Sequence, residues 1–245
     1  MSHFCVLVIG ENPEDQLAKY DENLEVPMHL VFTKEQIIKK ERDRIEKYKK
    51  GLYAEYLVDP EKYKENCHNE AHLKYITEEF PKKLKWTDEQ CYEAAIQDYR
   101  DYIEEGEKFC EIHEDGSLWM TTNDNAKWDW YQKGGRFRGL LKLKKPNKKA
   151  PLYNGWEWND VSPYEYEQLK NEGFCDQAYV KDVANLNEIV TFAIIKDGEW
   201  HERWEMGWWC SVSNEKNQDT WEAEVRSLLA DLPGDTLLTV VDCHI

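Results

Sequence analysis

The densest run of chemically capable side chains is WDWYQKGGRFRG, residues 128–139. Gly134 and Gly135 can adopt backbone angles that aim successive amides at an anion, and Arg136 adds a forked cation beside them. Trp128, Trp130 and Tyr131 offer π-faces on which a planar ligand such as a nucleotide base can stack, and Arg138 supplies a second guanidinium. The competing use is structural. In an extended strand side chains alternate, which predicts Trp128 and Trp130 on one face and Asp129 and Tyr131 on the other, as core anchors. The run is no established phosphate loop, because Gly-x-x-x-x-Gly-Lys-Ser/Thr is absent.

A second constellation joins the two ends of the sequence. On a strand, Asp242 and His244 of DCHI face one way and Cys243 the other. If that strand lies antiparallel beside the one that carries His3, two histidines and a carboxylate meet at a sheet end. His3, Asp242 and His244 then form a candidate metal or acid–base site. In CHNEAH, residues 67–72, His68 and His72 would share a helix face, but the acid is Glu70 rather than the residue directly after the first histidine, so the zinc-protease pattern is not met. EWHERWEMGWWCS, residues 199–211, pairs four tryptophans with His201 and Glu205, an acid–base pair without a nucleophile. No Gly-x-Ser-x-Gly, catalytic Cys–His spacing or dinucleotide fingerprint occurs, so no catalytic residue and no cofactor is called for.

The elements that must position these groups are legible in part. HFCVLVI (3–9) reads as a buried strand closed by Gly10. KEQIIKKERDRIEKYKK (34–50) reads as a surface helix with one thin apolar stripe, and 87–105 as a helix opened by a Thr87–Gln90 capping box. Asp115-Gly116 and Asp197-Gly198 each predict a hairpin turn. A helix over about 217–230 and a strand over 236–244 close the chain. The order suggests an α+β fold, an antiparallel sheet of ferredoxin-like or looser plan, in a single domain over 1–245 with a mostly helical insertion or lobe over 34–110.

Charge narrows the partners. The chain of 245 residues carries a net charge of −17, yet residues 121–150 hold nine basic and two acidic side chains. A strip of +7 therefore sits on a body of −24, and a local anion can still be met because charges screen over about 8 Å in physiological salt. The acidic body favours basic partners. No apolar run reaches the roughly 18 residues that a membrane span needs. Seven scattered cysteines without a Cys-x-x-Cys pair suit reduced thiols in a cytoplasm.

HFCVLVIGENPEDQLAKYDEN, NAKWDWYQKGGRF and DTLLTVVDCHI together resemble a family of uncharacterised bacteriophage and bacterial mobile-element proteins, with the blocks spread over nearly the whole length. The resemblance implies a phage-type protein made in a bacterial cytoplasm, and carries over no activity and no functional residue. In that context the leading expectation is an interaction protein, an acidic inhibitor of a host defence or nucleic-acid-binding protein. The alternative is a binder of a nucleotide or other small anion, enzyme or not, built on Arg136 and the basic strip.

Overall fold

Six of the seven residues in the strand His3–Ile9 are buried, which fixes it at the centre of a sheet. The computed structural model describes residues 3–153, 161–207 and 211–245. Contacts divide the chain into two units, residues 1–24 with 123–245, and residues 25–122.

In the first unit the closing strand Leu237–His244 runs antiparallel along the full length of the first, from His3 opposite His244 to Ile9 opposite Leu238. Ala193–Lys196 lies parallel on the other flank and turns through Asp197-Gly198 into Glu199–Glu202. Both turn residues have positive φ, 53° and 72°, the type I′ geometry that an Asp-Gly pair selects. Beyond the closing strand, Trp130–Lys133 pairs with its last residues and Gln177–Tyr179 with its first. The first strand thus has the hairpin on one side and the closing strand on the other. The class is α+β, as expected.

Alternation divides the core between the two faces of this sheet. Cys5, Leu7 and Ile9 pack against Trp221, Val225 and Leu229 of the helix Gln218–Leu229. Phe4, Val6 and Val8 pack instead against Leu17 and Tyr20 at the helix Pro13–Ala18 and against Trp128. Each fully buried aliphatic side chain of this kind stabilises by roughly 1.5–3 kcal/mol.

The second unit contains the 34–110 stretch. Two capping boxes, Thr33 with Gln36 and Thr87 with Gln90, start its helices Lys34–Tyr48 and Asp88–Glu104. Ile37, Tyr92 and Ile96 form its core with Cys110 and Leu118 of a three-stranded sheet. The predicted Asp115-Gly116 hairpin joins Cys110–Ile112 to Leu118–Met120.

Candidate functional site

At one end of the first unit's sheet, three strands present polar side chains on the same face. Register sets His3 opposite His244, Gln132 opposite Asp242, and Trp130 opposite His244. The sequence alone does not reveal how these groups pair. His3 Nδ1 lies 2.9 Å from Asp242 Oδ1, and His244 Nδ1 lies 2.7 Å from Asp129 Oδ1. The two imidazole centroids are 5.1 Å apart, and Trp130 stacks on His244 at 5.1 Å and 18°. Asp242 is fully buried, while the His3 and His244 side chains keep 6% and 7% of their surface. A carboxylate facing Nδ1 selects the Nδ1–H tautomer and leaves Nε2 with its lone pair. Among the described residues, neither Nε2 makes a hydrogen bond. The arrangement is two carboxylate–imidazole pairs set side by side.

The Gly-Gly-Arg loop is built around the same carboxylate. Asp242 Oδ2 accepts from the Arg136 amide at 2.9 Å and from Gln132 Nε2 at 3.2 Å. A second buried carboxylate, Asp176, accepts from the Gly139 amide at 2.5 Å and the Tyr153 amide at 2.8 Å. Gly134 lies against Asp176 and Gly135 against Asp242, so close that a Cβ on either would strike the carboxylate. The loop does aim amides at anions, and those anions belong to the chain itself. The Gly134 amide is also spent, on the Val240 carbonyl. Arg138 donates from Nε to the Gly135 carbonyl. Arg136 is exposed, and its guanidinium makes no hydrogen bond or ion pair among the described residues.

Burial pushes Asp176 up to about 6, against the opposing pull of the Tyr153 and Gly139 amides and of Arg138. Its folded pKa lies above the ordinary carboxylate value, so its contribution to stability is fully present below about pH 3.8 and lost as pH rises through about 6. Wild type should therefore gain on Asp176→Asn by up to about 3 kcal/mol between pH 7.5 and 4. Paired urea melts across that range, in which other carboxylates cancel, check this; a flat difference contradicts it. Burial, followed by the charges of Asp242 and Asp176, pushes the Cys5 thiol far up, which leaves it a poor nucleophile.

Several expectations change. Trp128 and Trp130 do not share a face. The strand begins only at Trp130, and Trp128 sits before it in a bridge to Asp21, so alternation does not reach back that far. Trp128 and Tyr131 join the core, ring edge to ring face, whereas Trp130 turns to the histidines. His3, Asp242 and His244 do come together, but the carboxylate faces His3 Nδ1, and no group of three His, Cys, Asp or Glu among the described residues could hold a metal ion. His68 precedes the helix Glu70–Lys74, which Asn69 caps, so it shares no helix face with His72; His72 meets the Tyr63 hydroxyl instead. His201 lies 3.7 Å from Glu224 rather than beside Glu205, which takes a hydrogen bond from Asn214. Trp208, Trp209 and Cys210 of that segment lie outside the described residues.

Asp129, Gln132 and Asp176 are the site residues that sequence reasoning missed. For Asp129 and Gln132 a signal existed, since one directly precedes Trp130 and the other lies two residues after it, on the strand whose register leads to His244. For Asp176 there was none, because only the fold brings it under Gly134.

Compared with known proteins, the chain matches no family model, no curated protein and no solved structure.

Proposed function

We propose that this end of the sheet is a binding site for a small anionic ligand of the nucleotide class, with Arg136 as the charged contact and the two imidazoles as its polar wall. The observation that carries this reading is the side-by-side pair His3–Asp242 and His244–Asp129, adjoining a loop whose Arg136 guanidinium is exposed and makes no hydrogen bond or ion pair among the described residues. Two carboxylate–imidazole pairs, one of them on the fully buried Asp242, together with an exposed cation exceed what the sheet needs for packing.

Because the Arg136 side chain holds nothing in place, Arg136→Ala should leave the melting temperature unchanged. In wild type, AMP, ribose 5-phosphate or inorganic phosphate at about 100 times its Kd should raise it by roughly 5 °C. The variant should lose that rise. No shift with any of the three, or an equal shift in Arg136→Ala, would sink the reading.

The second reading is an acidic protein that engages a basic partner, such as a host defence or nucleic-acid-binding protein of the bacterial cytoplasm, as the phage-type resemblance implies. One observation favours it. The last turns of the helix Asp88–Glu104 and the residues after it expose Asp98, Asp101, Glu104, Glu105 and Glu107 around Tyr102 and Ile103, with no base in the last turn. Acids there oppose the helix dipole, a cost that a binding surface would repay. Among the described residues, no helix is long and apolar enough to cross a membrane.

A further inference from the structure

The site presents two imidazoles, each held at Nδ1 by a carboxylate, and among the described residues the nearby thiol, Cys5, is buried and held in its protonated form. A proton acceptor set beside a proton donor suits a reaction whose nucleophile the substrate itself carries. We propose that the pair acts as general base and general acid in transesterification of a phosphodiester that carries a neighbouring hydroxyl, as in RNA. This rests on the anionic-ligand reading above and names its substrate class.

The step balances without a further reagent. The Nε2 of one histidine takes the proton of the substrate hydroxyl as that oxygen bonds to phosphorus. The bond from phosphorus to the leaving oxygen breaks, and the other histidine, as imidazolium, gives its Nε2 proton to that oxygen. The products are a cyclic phosphate and a free alcohol, and the two histidines exchange roles in the reverse direction. Asp242 and Asp129 are positioning residues. Each holds an imidazole by Nδ1 and stabilises the imidazolium that forms there. Arg136, whose backbone amide is held by Asp242, brings the cation for the charge that gathers on the phosphoryl oxygens. Gln132, tied to Asp242 through Nε2, has a buried Oε1 with no hydrogen-bond partner among the described residues, an acceptor of the kind a substrate hydroxyl satisfies.

The test incubates the full chain with uridylyl-(3′,5′)-adenosine and with its 2′-deoxy analogue, followed by chromatography and phosphorus NMR. Wild type should release adenosine and uridine 2′,3′-cyclic phosphate, with a bell-shaped pH–rate profile, and should leave the deoxy analogue intact. His3→Ala and His244→Ala should each lower the rate at least 100-fold. His3→Gln and His244→Gln stand in where an alanine variant loses its fold by circular dichroism. Cleavage that persists in folded variants marks a contaminating nuclease and overturns the proposal, as does an uncleaved ribodinucleotide. If AMP still shifts the melting temperature through Arg136 while the dinucleotide stays whole, transesterification alone falls. If neither occurs, the ligand reading falls with it.

Discussion

Asp242→Ala should destabilise the protein by about 3–5 kcal/mol, the cost of removing one partner from a buried charged network. The carboxylate is completely buried and accepts from three donors, the His3 ring, the Gln132 amide and the Arg136 backbone. Its loss strands all three at the junction of the first strand, the closing strand and the strand Trp130–Lys133. Asp242→Asn should cost less, because one oxygen remains for an acceptor role while its new amide meets other donors. Urea unfolding at pH 7 separates the two. A midpoint for Asp242→Ala within error of wild type would mean that the carboxylate does not organise this end of the sheet.

Gly135→Ala should cost about 3 kcal/mol or more and remove the Arg136 loop from its place. Gly135 has φ +55°, and a Cβ there would collide with Asp242 Oδ2 and stand 2.6 Å from Asp242 Cβ. A left-handed backbone alone costs an alanine roughly 1–2 kcal/mol. The remainder arises because the closing strand, paired on both sides, cannot move its Asp242 away. Gly106 provides the control. It has φ +93° with nothing within 4 Å of a built Cβ, so Gly106→Ala should show the backbone cost without the collision. Equal losses in the two variants, measured by thermal melts, would contradict the close packing of the loop on Asp242.

The contrast between legible and hidden parts follows from the range of the interactions. Elements set by local rules were readable. The Thr87–Gln90 capping box and the two Asp-Gly turns need only a few neighbours, and the buried run HFCVLVI could be nothing but an inner strand. The meeting of His3 with His244 was also accessible, because it follows once the closing strand pairs antiparallel with the first. What could not be read is how each polar group is spent. Gly134-Gly135-Arg136 has the form of an anion loop, and nothing local says that Asp242 and Asp176, far along the chain, supply the anions. The misassignment of Trp128 has a similar origin. Alternation holds only inside a strand, and this one starts two residues later than the aromatic pattern suggests. In the same way, the His68–His72 pairing failed because Asn69 caps the helix after His68.

Residues 3–23, 125–137 and 235–245 supply the strands His3–Ile9, Trp130–Lys133 and Leu237–His244, which lie together in one sheet and furnish both dyads and Arg136. The site is thus a product of long-range strand pairing, with 227 residues between the end of the first strand and the start of the last. Its chemistry depends on the register of those strands, since a slip of one residue would turn His3 or His244 to the opposite face.

The most direct measurement is the long-range proton–nitrogen NMR spectrum of the imidazoles in wild type and in Arg136→Ala, with and without AMP. Both His3 and His244 should appear at neutral pH with the Nδ1–H held by a carboxylate, and AMP should move the signals of both rings in wild type only. Signals that ignore AMP, or that respond equally in Arg136→Ala, would contradict a ligand site at this end of the sheet.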